Sequence, residues 1–116
     1  MRSLRSIVPG VMLSTLVLFA GCSNDAPSIR VFNERTTKVN VQLKVPSSNT
    51  ININDVAAGT GTVYQDIQAG EWTATATIQS ESVAPSVTFS VEEDKYYIVV
   101  VTNATPPALR VECSDK

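Results

Sequence analysis

From Lys38 to Val45 apolar and polar residues alternate without a break: Val39, Val41, Leu43 and Val45 take one side, Lys38, Asn40, Gln42 and Lys44 the other. A second run sets Trp72, Ala74, Ala76 and Ile78 against Thr73, Thr75, Thr77 and Gln79. Successive side chains of a strand point to opposite faces, so a period of two describes strands with one buried and one wet face. A helix would need apolar residues every three or four positions, and from Ile29 onward no window of ten or more residues has that spacing. The pattern predicts strands over 29–33, 38–45, around Ile51 and Ile53, and over 62–67, 72–79, 87–91, 96–102 and 108–113. Pro46-Ser47-Ser48-Asn49 and Ala69-Gly70 are turns between them, residues 54–61, 80–85 and 103–107 are loops, and Glu92-Glu93-Asp94-Lys95 is a charged hairpin connection. The run from Tyr96 to Thr102 is apolar or β-branched throughout, as in a central strand covered on both faces. Seven or eight short strands at roughly ten-residue spacing predict an all-β protein, a single small antiparallel β-sandwich with immunoglobulin-like layers.

The first 21 residues follow another rule. Arg2 and Arg5 form a positive head, residues 7–19 are almost wholly apolar, and small residues then lead into Cys22. That order is a secretory signal. An apolar run of about 13 residues is too short for the hydrocarbon core, which takes about 20 in a helix. The close Leu18-Phe19-Ala20-Gly21-Cys22 resembles the lipobox of bacterial lipoproteins, with Phe19 where that family favours Leu. The resemblance implies cleavage before Cys22, diacylglycerol on its sulfur and an acyl group on its nitrogen. The alternative is an ordinary signal that happens to meet a cysteine. Ser23, standing where an Asp would retain a lipoprotein at the inner membrane, implies the outer membrane, facing the periplasm. The domain plan is therefore 1–21 signal peptide, 22–28 lipidated tether and 29–116 sandwich. Each buried acyl methylene is worth about 0.8 kcal/mol and one chain binds only marginally; two or three on Cys22 would hold the protein at a membrane.

Loss of Arg2 and Arg5 with the signal leaves seven basic residues of the nine against eleven acidic ones, a net charge of −4. No basic stripe is present, so a nucleic-acid partner is not expected. With Cys22 acylated, Cys113 has no partner in the chain. It closes the alternation Leu109, Val111, Cys113, which predicts a small buried side chain; an intermolecular disulfide and a reactive thiol are the alternatives. A Cys22–Cys113 disulfide requires Cys22 to be unmodified.

The chain contains no histidine, which removes the Ser-His-Asp and Cys-His constellations and the commonest metal ligand. The acidic run Glu92-Glu93-Asp94 lacks the alternating Asp/Asn-Gly spacing of a calcium loop and reads as a solvated turn. The glycines at 59, 61 and 70 lie between strands, not before a helix, so they cradle no phosphate. No catalytic residue, cofactor or metal site is expected, and the chain reads as a non-enzyme. Trp72 shares its face with Ala74, Ala76 and Ile78, which makes it a core anchor more readily than a sugar-stacking platform. Tyr96 and Tyr97 are adjacent in a strand, so one of them looks away from the core. With Tyr64 they are the candidate interface residues.

Ile29-Arg30-Val31-Phe32-Asn33, Ile53-Asn54-Asp55-Val56-Ala57, Ala69-Gly70-Glu71-Trp72-Thr73-Ala74 and the hairpin Val91 to Val101 together resemble a family of small bacterial cell-envelope β-domains. Its best understood relatives are the periplasmic alginate O-acetylation adaptor proteins. The shared features are structural, and the chain differs in carrying a lipid signal and a single domain. The resemblance implies a binding or scaffolding module, with an envelope protein or polysaccharide as partner and exopolysaccharide modification as the setting. Two alternatives remain: a structural envelope lipoprotein without a specific ligand, and an envelope hydrolase or transferase.

Overall fold

The computed structural model describes residues 24–45, 49–79 and 81–116. The signal segment, Cys22, Ser23 and residues 46–48 of one expected turn lie outside them. Eight strands follow in chain order: β1 (Ser28–Asn33), β2 (Val39–Lys44), β3 (Thr50–Val56), β4 (Gln65–Asp66), β5 (Gly70–Ile78), β6 (Ser86–Val91), β7 (Lys95–Val101) and β8 (Leu109–Asp115). They form two four-stranded sheets, ordered β4-β1-β7-β8 and β3-β2-β5-β6. The fold is all-β, a small sandwich, as the alternation predicts.

The inward rows meet between the sheets. Ile29 and Val31, then Tyr97, Val99 and Val101, face Val39, Val41 and Leu43 with Trp72, Ala74, Ala76 and Ile78, and all of them are buried. Trp72 is buried in the same inward row as Ala74 and Ala76, a mix of large and small side chains that lets layers interdigitate. Its Nε1 donates to the Gln68 carbonyl at 2.9 Å, so no indole donor is stranded in the core.

Three features depart from the expected pattern. β1 lies parallel to β7, Ile29 opposite Tyr97 and Val31 opposite Val99, so the sandwich is not wholly antiparallel. Period two places side chains on faces but carries no strand direction. β3 runs on to Val56, with a bulge: Val39 and Val41 of β2 pair with Val56 and Ile53. The extra residue on β3 is accommodated with Asp55 at φ 59°, its N–H donating to the Asn40 side chain at 2.7 Å. A bulge changes the parity of the strand, which turns Val56 into the core. Finally, the strand expected over 62–67 is reduced to Gln65–Asp66 and a single bridge between Gly61 and Phe32.

The two ends of the sandwich are unlike. One gathers residues 24–27, the turn after Ile67, the 92–94 turn and Lys116. The other gathers the connections 34–38, 57–61 and 102–108 with residues 79 and 81–85. Asn33 organises the second end from within: fully buried, its Nδ2 donates to the carbonyls of Thr37 (2.8 Å) and Val56 (3.0 Å), and its Oδ1 accepts from the Arg35 N–H (2.8 Å).

Candidate functional site

Pairing registers put Ser28, Tyr96 and Ser114 in one row of the β1-β7-β8 sheet, Arg30, Ile98 and Glu112 in the next, and Phe32, Val100 and Arg110 in a third. Their side chains stand on the outer face. Phe32, Ile98 and Val100 floor a groove of about 200 Å³ rimmed by Arg30, Glu34, Arg110 and Glu112. An apolar floor on an outer face follows from the sequence of β7, the only strand here with consecutive valines, Val99 to Val101.

The rim is wired unevenly. Arg110 reaches Glu34 at 3.2 Å and Glu112 at 3.0 Å, and the hydrogen bonds it donates to these two carboxylates push its pKa up further. Arg30 has no carboxylate partner among the described residues. Its guanidinium lies 5.4 Å from the Tyr64 ring centre, cation–π distance, and its Nε is buried without a hydrogen bond. Tyr64 in turn packs on Tyr96, centroids 4.9 Å apart and planes tilted by 50°, and the Lys116 ammonium stands 5.1 Å from the Tyr96 ring. Two cations thus bracket an aromatic pair. Tyr64 is 42% exposed, so the pair reaches solvent beside a guanidinium that has no carboxylate partner among the described residues. Such a surface can stack on a ring, donate to hydroxyls and hold an anionic group.

Gly61 makes the arrangement possible. A Cβ there would stand 2.7 Å from Arg30 Nη1 and 3.0 Å from Phe32 Cδ1. The segment 61–64 therefore lies close over β1, pinned by Thr62 N–H to the Val31 carbonyl (2.9 Å) and by Val31 N–H to Thr62 Oγ1 (3.0 Å).

The expected interface residues separate. Tyr64 and Tyr96 come together on the outer face. Tyr97 does not: it is 3% exposed, with its hydroxyl accepting from the Glu92 N–H at 2.7 Å, and it is core and not interface. Burial raises its pKa above the usual tyrosine value. Cys113 is also placed differently from expectation. It is exposed, a free thiol, because β8 is an edge strand and cover fades along it, from half-buried Leu109 and Val111 to Cys113 opposite Tyr97. Trp72 is in the core, as expected. The 92–94 turn is more than solvated: Glu93 accepts from Asn24 Nδ2 (2.8 Å) and Asp94 Oδ1 from the Asp25 N–H (2.7 Å). Arg30 and Lys116 escaped the sequence reading; their position beside aromatics is set by registers between distant segments.

The outer face of the other sheet has a groove of about 270 Å³ with an uncharged, polar lining of Asn40, Gln42, Asn52, Asn54, Thr75 and Thr77. It has hydrogen-bonding groups but no aromatic ring.

No protein-family model and no curated protein sequence matches the chain. Among solved structures it is similar to a protein from Eubacterium rectale determined by NMR, with a TM-score of 0.53 and 14% identity over 75% of this chain and 88% of that one. It is also similar to a Bacteroides ovatus protein provisionally described as a cell adhesion protein, with a TM-score of 0.48 and 13% identity. That match covers 88% of this chain and 48% of the other, so the chain spans about half its length. The likeness to the Eubacterium rectale protein is one of fold.

Proposed function

We propose that the chain is a membrane-anchored, non-enzymatic cell-envelope lipoprotein, held by lipid on Cys22 at the outer membrane and facing the periplasm. It acts there as a binding or scaffolding module through the outer face of the β4-β1-β7-β8 sheet. The observation that carries the reading is the Tyr64–Tyr96 pair with the unpaired Arg30 beside the apolar floor of Phe32, Ile98 and Val100. Solvent-exposed aromatics and arginine are the side chains that anchor interfaces. An envelope protein or a hydroxylated, acidic polysaccharide is the partner this chemistry suits, and polysaccharide modification is the setting the sequence resemblance suggests.

A photo-crosslinking side chain at Tyr64, in cells making the full chain, tests the role. A discrete adduct that disappears with Arg30→Ala or Tyr96→Ala is the expected result. Uniform labelling with no discrete adduct would instead favour a structural coat protein. The anchor has its own measurement: the mature N-terminus should have the mass of residues 22–116 plus acyl groups, and Cys22→Ser should leave the membrane fraction.

A further inference from the structure

The geometry points to one end of the sandwich as the surface that lies against lipid headgroups, an inference that rests on the anchor proposed above. That end is built from residues 24–28, the 92–94 turn, the turn after Ile67 and Lys116.

The chain does not leave the fold as a loose tail. Asn24 donates to Glu93, the Asp25 N–H to Asp94 Oδ1, and the Asp94 N–H back to the Asp25 carbonyl at 3.0 Å. Lys116 closes the cluster: its N–H donates to the Asp94 carbonyl at 2.9 Å, and its ammonium to the Ala26 carbonyl at 2.6 Å and Ser28 Oγ at 2.9 Å. Pro27 is buried, and its carbonyl accepts from the Ile67 N–H. Only Ser23 stands between Cys22 and Asn24, and the two residue steps, at about 3.6 Å each, span about 7 Å at full stretch. A sulfur fixed at the glycerol level thus holds this end within one headgroup layer of the bilayer.

The registers define what else is at that end. Ser28 pairs with Asp66 and Tyr96, Lys95 with Asp115, and Gly70 with Val91, so Ala69, the 92–94 turn and the C-terminus share one level. The seven residues of β7, at about 3.4 Å each, put the opposite end about 20 Å farther out. Ala58 lies there, in the connection after β3. Near the membrane level, Asp25, Asp66, Glu71, Glu92, Glu93, Asp94 and Asp115 outnumber Lys44, Lys95 and Lys116. Charge does not draw this end to anionic lipid; the short link keeps it there, against the headgroups and not inserted. The Tyr96 ring and Lys116 mark the bilayer end of the outer face, and the groove runs from them toward the aqueous side.

The lipidated full chain, carrying Cys113→Ser so that a dye finds one thiol, is labelled at Ala69→Cys or at Ala58→Cys. It is then reconstituted in phosphatidylethanolamine–phosphatidylglycerol vesicles bearing a headgroup nitroxide. With the labels about 20 Å apart along the strands, quenching at position 69 should exceed that at 58 by about threefold or more. An eight-residue Gly-Ser spacer after Ser23, with a reach of about 15 Å, should erase the difference while the protein still floats with the vesicles. Flotation with equal or reversed quenching in the unspaced chain overturns the orientation and leaves the anchor standing. A chain that stays in the soluble fraction, with an N-terminus of unmodified mass, overturns both.

Discussion

Tyr97 and Asn33 show how a single side chain is committed by its surroundings. The Tyr97 phenol accepts from the Glu92 N–H and is otherwise in the core, so burial raises its pKa. Stability contributed by the neutral phenol is full below the free tyrosine value near 10 and falls as pH rises through the raised folded value, because the unfolded chain then releases the proton first. Urea unfolding of the wild type from pH 8 to 11.5 should show that fall, and Tyr97→Phe should flatten part of it. At pH 8 the same variant should be less stable by about 1 kcal/mol, the worth of one hydrogen bond. Asn33→Ala should be costlier, about 3 kcal/mol by chemical denaturation, since two carbonyls and one N–H lose their partner where water cannot replace it. Nothing in the sequence marks Asn33 for this role. Its partners, Thr37, Arg35 and Val56, include one brought from 23 residues away by the bulge in β3.

At the scale of elements, edge position decides what period two leaves open. β8 carries the alternation Leu109, Val111, Cys113, yet only one neighbour, β7, covers its flank. Cys113 is therefore exposed, and it should react with a maleimide in the native protein without denaturant, one thiol per chain once Cys22 is acylated. A protected thiol would contradict the edge placement. The segment 61–64 illustrates a second element effect. Residues 62–64 read as the start of a strand, but the segment makes one bridge, at Gly61, and then lifts away, leaving Val63 86% exposed. Its close approach over Arg30 and Phe32 needs Gly61. Gly61→Ala should cost about 1 kcal/mol by urea denaturation, the lower range for overpacking, because the nearest atom is the movable end of Arg30. It should also weaken crosslinking from Tyr64. Within the core, Trp72→Ala should remove about 3–5 kcal/mol, a large share of what a domain of this size possesses.

On the scale of the whole molecule the two ends divide the work. Residues 24–28, the 92–94 turn and Lys116 form one hydrogen-bonded knot. At the other end, Arg35 bonds to the carbonyls of Thr102 and Ala104 and pairs with Glu81 at 3.0 Å, tying three connections together. The Arg35 side chain is only 10% exposed, though that of Glu81 is 36% exposed, so the pair is shielded from the arginine side only. Arg35→Ala should loosen these connections, seen as faster amide exchange over 102–108, while leaving the strands protected.

Sequence alone determined that this chain makes a two-layer β structure, which residues of most strands face inward, and that Trp72 is core, because each follows from local alternation. It also supplied the anchor reading, which the described residues do not reach. Tertiary structure decided the parallel seat of β1, which of two adjacent tyrosines is buried, the exposure of Cys113, and the meeting of Tyr64, Tyr96, Arg30 and Lys116. These depend on strand order and register between segments 30 to 90 residues apart, and a period of two is the same for every order the strands might take.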